Sequence, residues 1–208
     1  MKKTIFFLVI ILLFVGCSNV ENSVATERNK VKITPSQIFE GETKKLEPHM
    51  GLTTGCVKVD YNGDKKNMEI KYEIWENGEI IDKNLMLSTS IKNGFNGEVS
   101  FSAEKLVNDE LETIESLKMN SVISKENGYS VHSTYIDKMP NGYGYGPTNL
   151  DKEIKVPDDE DIIIWGIGAS ENGYSSYNDI ERTLVNADWA LVLKLEFKDE
   201  FENKQVRE

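Results

Sequence analysis

The soft ligands and nucleophiles of this chain are few: two histidines, His49 and His132, and two cysteines, Cys17 and Cys56. Zinc takes three or four His, Cys or carboxylate ligands, usually with a close pair on one element. No such pair exists here, because the four residues lie on separate segments. Cys56 and His132 could act as a thiol–imidazole dyad only if folding brought them together. A small apolar cysteine packed in a β core accounts for Cys56 without any chemistry. A Gly-x-Ser-x-Gly nucleophile elbow is absent.

Carboxylates are plentiful, with 35 Asp plus Glu against 24 Lys plus Arg and a formal charge of −11. Asp60-Tyr61-Asn62-Gly63-Asp64 opens like a calcium loop, but Lys65 and Lys71 stand where such a loop needs Gly and Glu. Asp158, Asp159 and Asp161 form a tighter cluster ahead of an apolar run and are candidate calcium ligands. A solvated acidic loop explains the same letters. Glycoside hydrolysis by paired acids is open to so acidic a chain, yet nothing singles out a pair. No metal and no cofactor is expected, and the acidic balance disfavours nucleic acid, whose phosphates need clustered Lys and Arg.

Tyrosines on turns are the remaining chemistry. Tyr143 and Tyr145 stand in Pro140-Asn141-Gly142-Tyr143-Gly144-Tyr145-Gly146-Pro147, inside a non-periodic segment from Asp137 to Glu160. Tyr174 belongs to Glu171-Asn172-Gly173-Tyr174-Ser175, which repeats Glu126-Asn127-Gly128-Tyr129-Ser130. Tyrosines on Gly-rich loops give flat amphipathic contacts for sugars, peptides or proteins, so Tyr143, Tyr145 and Tyr174 are the candidate binding residues. In the two pentapeptides a hairpin turn whose Tyr starts the next strand is the plainer account.

The N-terminus has the parts of an export signal: Lys2-Lys3, an apolar run from Ile5 to Val15, then Gly16 before Cys17. Eleven apolar residues are too few to span a bilayer core. Leu13-Phe14-Val15-Gly16-Cys17 resembles the lipobox of bacterial lipoproteins, with Phe14 where the family most often has Leu. That resemblance implies cleavage before Cys17, diacylglycerol on its thiol, and a membrane partner reached through lipid. Removing residues 1–16 takes Lys2 and Lys3 with them and changes the formal charge from −11 to −13, so acyl chains must do the anchoring that charge cannot. Cys56 then has no disulfide partner. The lipobox, a polar tether and a small acidic domain together are similar to small lipoproteins of Gram-positive bacteria, which implies the extracytoplasmic face of a cell membrane and no particular activity.

The elements that must position these residues read as β. Met68, Ile70, Tyr72 and Ile74 alternate with polar neighbours, and Trp189, Leu191, Leu193, Leu195 and Phe197 do the same. Asn-Gly occurs seven times, starting at Asn62, Asn77, Asn93, Asn96, Asn127, Asn141 and Asn172; between alternating runs it marks hairpins. Lys105 to Lys118 can be read as helix or strand, and Ser176 to Ala187 has a cap-like start and a helical period. The expectation is mainly β: an antiparallel β-sandwich of immunoglobulin-like size with one or two short helices, a closed β-barrel being the alternative. Residues 1–16 are the signal, 17–35 the lipidated cysteine and tether, 36–200 the β domain and 201–208 a charged tail. The expected function is a non-catalytic binding or structural module with an envelope protein or glycan as partner; an envelope hydrolase with a carboxylate pair is the alternative.

Overall fold

A computed structural model describes residues 29–92, 94–108, 110, 113–137, 139–173 and 179–200. Two antiparallel sheets face each other. The first holds β1 (Lys30–Ser36), β2 (Thr53–Tyr61), β5 (Phe95–Val107), β6 (Thr113–Lys125), β7 (Gly128–Asp137) and β9 (Ile154–Pro157), in the order β7-β6-β5-β2-β1-β9. The second holds β3 (Asn67–Glu76), β4 (Glu79–Ser90), β8 (Gly144–Asn149), β10 (Ile162–Ser170) and β11 (Trp189–Lys198), in the order β4-β3-β11-β10-β8. This is the expected β-sandwich. Each sheet ends in two open edges, so the closed-barrel alternative is wrong: β7 and β9 do not pair, nor do β4 and β8.

Alternation creates the core. The inward row Trp189, Leu191, Leu193, Leu195 and Phe197 of β11 pairs with Glu76, Ile74, Tyr72, Ile70 and Met68 of β3, and all but Glu76 join one cluster with Val57, Val59, Val99, Phe101, Leu117 and Met119 of the first sheet. Removing each such side chain from water contributes about 1.5–3 kcal/mol. Trp165 of β10 crosses the gap to Phe101 with ring centroids 6.0 Å apart. The β3–β4 hairpin turns on Asn77 (φ 50°) and Gly78 (φ 81°), the pair of positive φ angles that a type I′ turn requires and Asn-Gly tolerates.

Two short α-helices are present among the described residues, α1 (Glu47–Met50) and α2 (Ile180–Asn186), with a 3-10 turn at Gly41–Lys45 ahead of α1. α2 starts after Asp179, whose carboxylate accepts from the Arg182 backbone N–H at 3.1 Å, satisfying one of the orphan donors of the first turn. Ile180 and Leu184 pack on Ala190 and Val192, which lie on the face of β11 opposite the main core, so β11 is buried on both faces.

Two expectations need correction. The β domain begins before residue 36, inside the expected 17–35 tether: β1 starts at Lys30 and pairs with β2 from Val31 to Ser36, because the alternating Val31 and Ile33 fill the core. The segment from Asp137 to Glu160 is not without structure: it supplies β8 and β9, whose Pro and Gly content hides the strand period and is admissible only at sheet edges. Of the two readings open for Lys105 to Lys118, its described residues take the strand: β5 and β6 pair through Lys105↔Leu117 and Glu104↔Lys118.

Candidate functional site

Cys56 and His132 do not form a dyad. Both are on the first sheet, but β2 and β7 are separated by β5 and β6, about 14 Å at the usual strand spacing. The Cys56 thiol is buried, and its pKa is pushed up to about 11 by that burial first and by Glu98 second. The thiolate is therefore scarce at neutral pH.

The acidic cluster is pulled apart. Asp158 is buried and its carboxylate accepts from the Tyr61 hydroxyl at 2.6 Å, a bond that together with burial raises the Tyr61 pKa, burial being the larger cause. Asp161 instead lies 3.7 Å from Lys83 and 4.0 Å from Lys194, and Asp159 is exposed. Among the described residues no group of three or more His, Cys, Asp or Glu could hold a metal ion.

The outer face of the second sheet carries a charged constellation. On β3, Glu69, Lys71 and Glu73 point outward, and on β11 so do Lys194, Glu196 and Lys198. Register sets Glu69 opposite Glu196 and Lys71 opposite Lys194, like-charge pairs that would repel. Contacts along β3 and diagonally across to β11 offset this: Lys71 sits 3.3 Å from Glu69 and 2.9 Å from Glu196, and Lys194 sits 2.9 Å from Glu73. Lys83 adds contacts of 3.2 Å to Glu73 and 3.4 Å to Glu196. Burial pushes the Glu196 pKa upward, but hydrogen bonds from Lys198 and Lys71 outweigh it and bring the value down to about 2. A carboxylate held ionised in this way cannot supply a proton as a general acid.

Strand alternation had marked the outward residues of β3 as solvent-facing, yet Glu69, Lys71 and Glu73 are buried. The legible signal was complementarity: Glu69-x-Lys71-x-Glu73 against Lys194-x-Glu196-x-Lys198.

A cleft of about 450 Å³ opens at one end of the sandwich. Its walls are Glu76 and Asn77 at the β3–β4 turn, Pro140 and Tyr143 before β8, Glu171 and Asn172 after β10, and Asp188 and Trp189 at the start of β11. Sheet register sets Trp189 beside Glu76. The junction is fixed by Asn77 N–H donating to the Asp188 carbonyl and Glu171 N–H donating to the Asp188 carboxylate, both at 3.0 Å. Three carboxylates and no Lys, Arg or His stand among the described lining residues. The buried indole N–H of Trp189 has no hydrogen-bond partner among the described residues, which leaves a donor in want of an oxygen.

Of the sequence candidates, Tyr143 lines this cleft while its half-buried ring packs against the core. Tyr145 does not join it: it stands on edge strand β8, with the Lys105 ammonium 3.9 Å above its ring. Tyr174 and Cys17 lie outside the described residues. Glu76, Glu171, Asp188 and Trp189 were not foreseen, because only the pairing of β3, β10 and β11 brings them together. No protein-family model matches the chain, and neither curated proteins nor solved structures provide a match.

Proposed function

We propose that the protein is a lipid-anchored, cell-surface binding module without catalytic activity, held to the membrane through Cys17, whose end cleft takes an envelope glycan bearing free amino groups. The carrying observation is the cleft lining: Glu76, Glu171 and Asp188 accept from ammonium and hydroxyl groups, and Tyr143 offers an aromatic contact. A chain of formal charge −11 also steers cations toward such a site. The non-catalytic part draws support from the state of the groups that could do chemistry: Glu196 is held among lysines, Asp158 is bonded to Tyr61, and the buried Cys56 thiol has a raised pKa.

Calorimetric titration of the chain carrying Cys17→Ser tests the cleft, with a chitosan oligosaccharide as the cationic probe and its N-acetylated counterpart as the neutral one. Saturable binding to chitosan alone is expected, weakened at least about tenfold, or about 1.4 kcal/mol, in Glu76→Gln/Glu171→Gln. Equal binding to both probes, or to neither, would sink the assignment. For the anchor, Cys17→Ser should abolish lipid labelling in cells, and a product that stays labelled would refute it.

A further inference from the structure

Four strands end the two sheets, and three of them carry the devices that keep sheet edges from pairing with another chain. β4 holds Glu79, Asp82 and Lys83 and shifts register twice against β3. β8 holds Pro147, and β9 has only four residues, among them Lys155 and Pro157. β7 has none of these. It pairs with β6 over ten consecutive residues without a bulge, has no Pro or Lys, and bears no formal charge from Gly128 to Ile136. Its outer-face side chains are strongly exposed: Tyr129 by 76%, Val131 by 52% and Tyr135 by 64%.

From this edge we infer that two copies of the chain associate by antiparallel β7–β7 pairing about a two-fold axis at His132, giving one continuous sheet. The occupant follows from the strand's own order. Around His132, Tyr129 mirrors Tyr135, Ser130 mirrors Thr134 and Val131 mirrors Ser133. In that register each tyrosine meets a tyrosine, Ser130 meets Thr134, Val131 meets Ser133, and Asp137 falls opposite Asn127 rather than another acid. Aromatic cross-strand pairs stabilise such a seam, and like charges directly opposite would oppose it. For a chain of formal charge −11, an uncharged strand is where two copies can approach without acid facing acid. The seam is about 30 Å long at about 3.4 Å per residue, too narrow for an obligate interface, so association is reversible and concentration-dependent.

Sedimentation velocity on the chain carrying Cys17→Ser, from about 1 μM to about 1 mM, tests the pairing. A monomer–dimer equilibrium is expected, and Tyr129→Lys/Val131→Lys should weaken it at least about tenfold with an unchanged melting temperature, since both side chains are exposed. Direct cross-strand neighbours have Cα atoms about 4.5–5.5 Å apart, within disulfide reach. His132→Cys should therefore oxidise to a covalent dimer, whereas Val131→Cys should not. A chain that stays monomeric throughout, or a dimer indifferent to the lysines, overturns the inference. Uptake of an unrelated strand peptide without self-association would also overturn it and give the edge to a different partner.

Discussion

Gly55 shows how tightly single residues are constrained in this core. A Cβ there would collide with the indole of Trp165, which is fully buried and donates its N–H to the Thr54 carbonyl at 3.2 Å. Phe101, the cross-strand neighbour of Gly55, stacks on the same indole and helps to fix its position. Gly55→Ala is accordingly expected to cost about 1–3 kcal/mol through overpacking. Urea denaturation measures this, and a loss below about 0.5 kcal/mol, the range of neutral surface changes, would show that the ring can shift. Nothing in the sequence around Gly55 announces this contact, since Trp165 is 110 positions away. Tyr143 was legible as a candidate by its turn setting, but its neighbours Asp188 and Trp189 were not, for the same reason of distance along the chain.

Among the elements, the β3–β11 pair carries the clearest dependence on pH. The Glu196 carboxyl has a folded pKa of about 2 against an ordinary value of 4.5. Its contribution to stability is therefore fully present above about pH 4.5 and is lost as pH falls toward 2. Urea midpoints measured from pH 6 to pH 2 should fall over that window. Glu196→Gln should be less stable at neutral pH, because it leaves Lys71 and Lys198 short of a counter-charge, and should show a flatter acid limb. An unchanged limb would mean that other carboxylates control the transition. Elements such as β3 and β11 were legible because long period-2 alternation has one physical cause, a strand with one buried face. β8 and β9 were not, because Gly and Pro at edges leave no alternation to read.

At the scale of the molecule, the chain passes between the two sheets five times, from β2 to β3, β4 to β5, β7 to β8, β8 to β9 and β9 to β10. Neither sheet can then detach without pulling strands out of the other, and both line a single core. Unfolding is expected to be one cooperative transition, with van't Hoff and calorimetric enthalpies equal in scanning calorimetry; two resolved peaks would show the sheets to be separate units. What the sequence determined by itself was local: the strands with clean alternation, the Asn77-Gly78 hairpin, the α2 cap region and the antiparallel class, all set by interactions between residues a few positions apart. Only the tertiary structure decided that the sheets stay open rather than close, that the charges of β3 and β11 neutralise each other diagonally, and that Glu76, Tyr143, Glu171 and Asp188 share one cleft. These depend on strand order and register, which arise from packing between distant segments and leave no periodic trace along the chain.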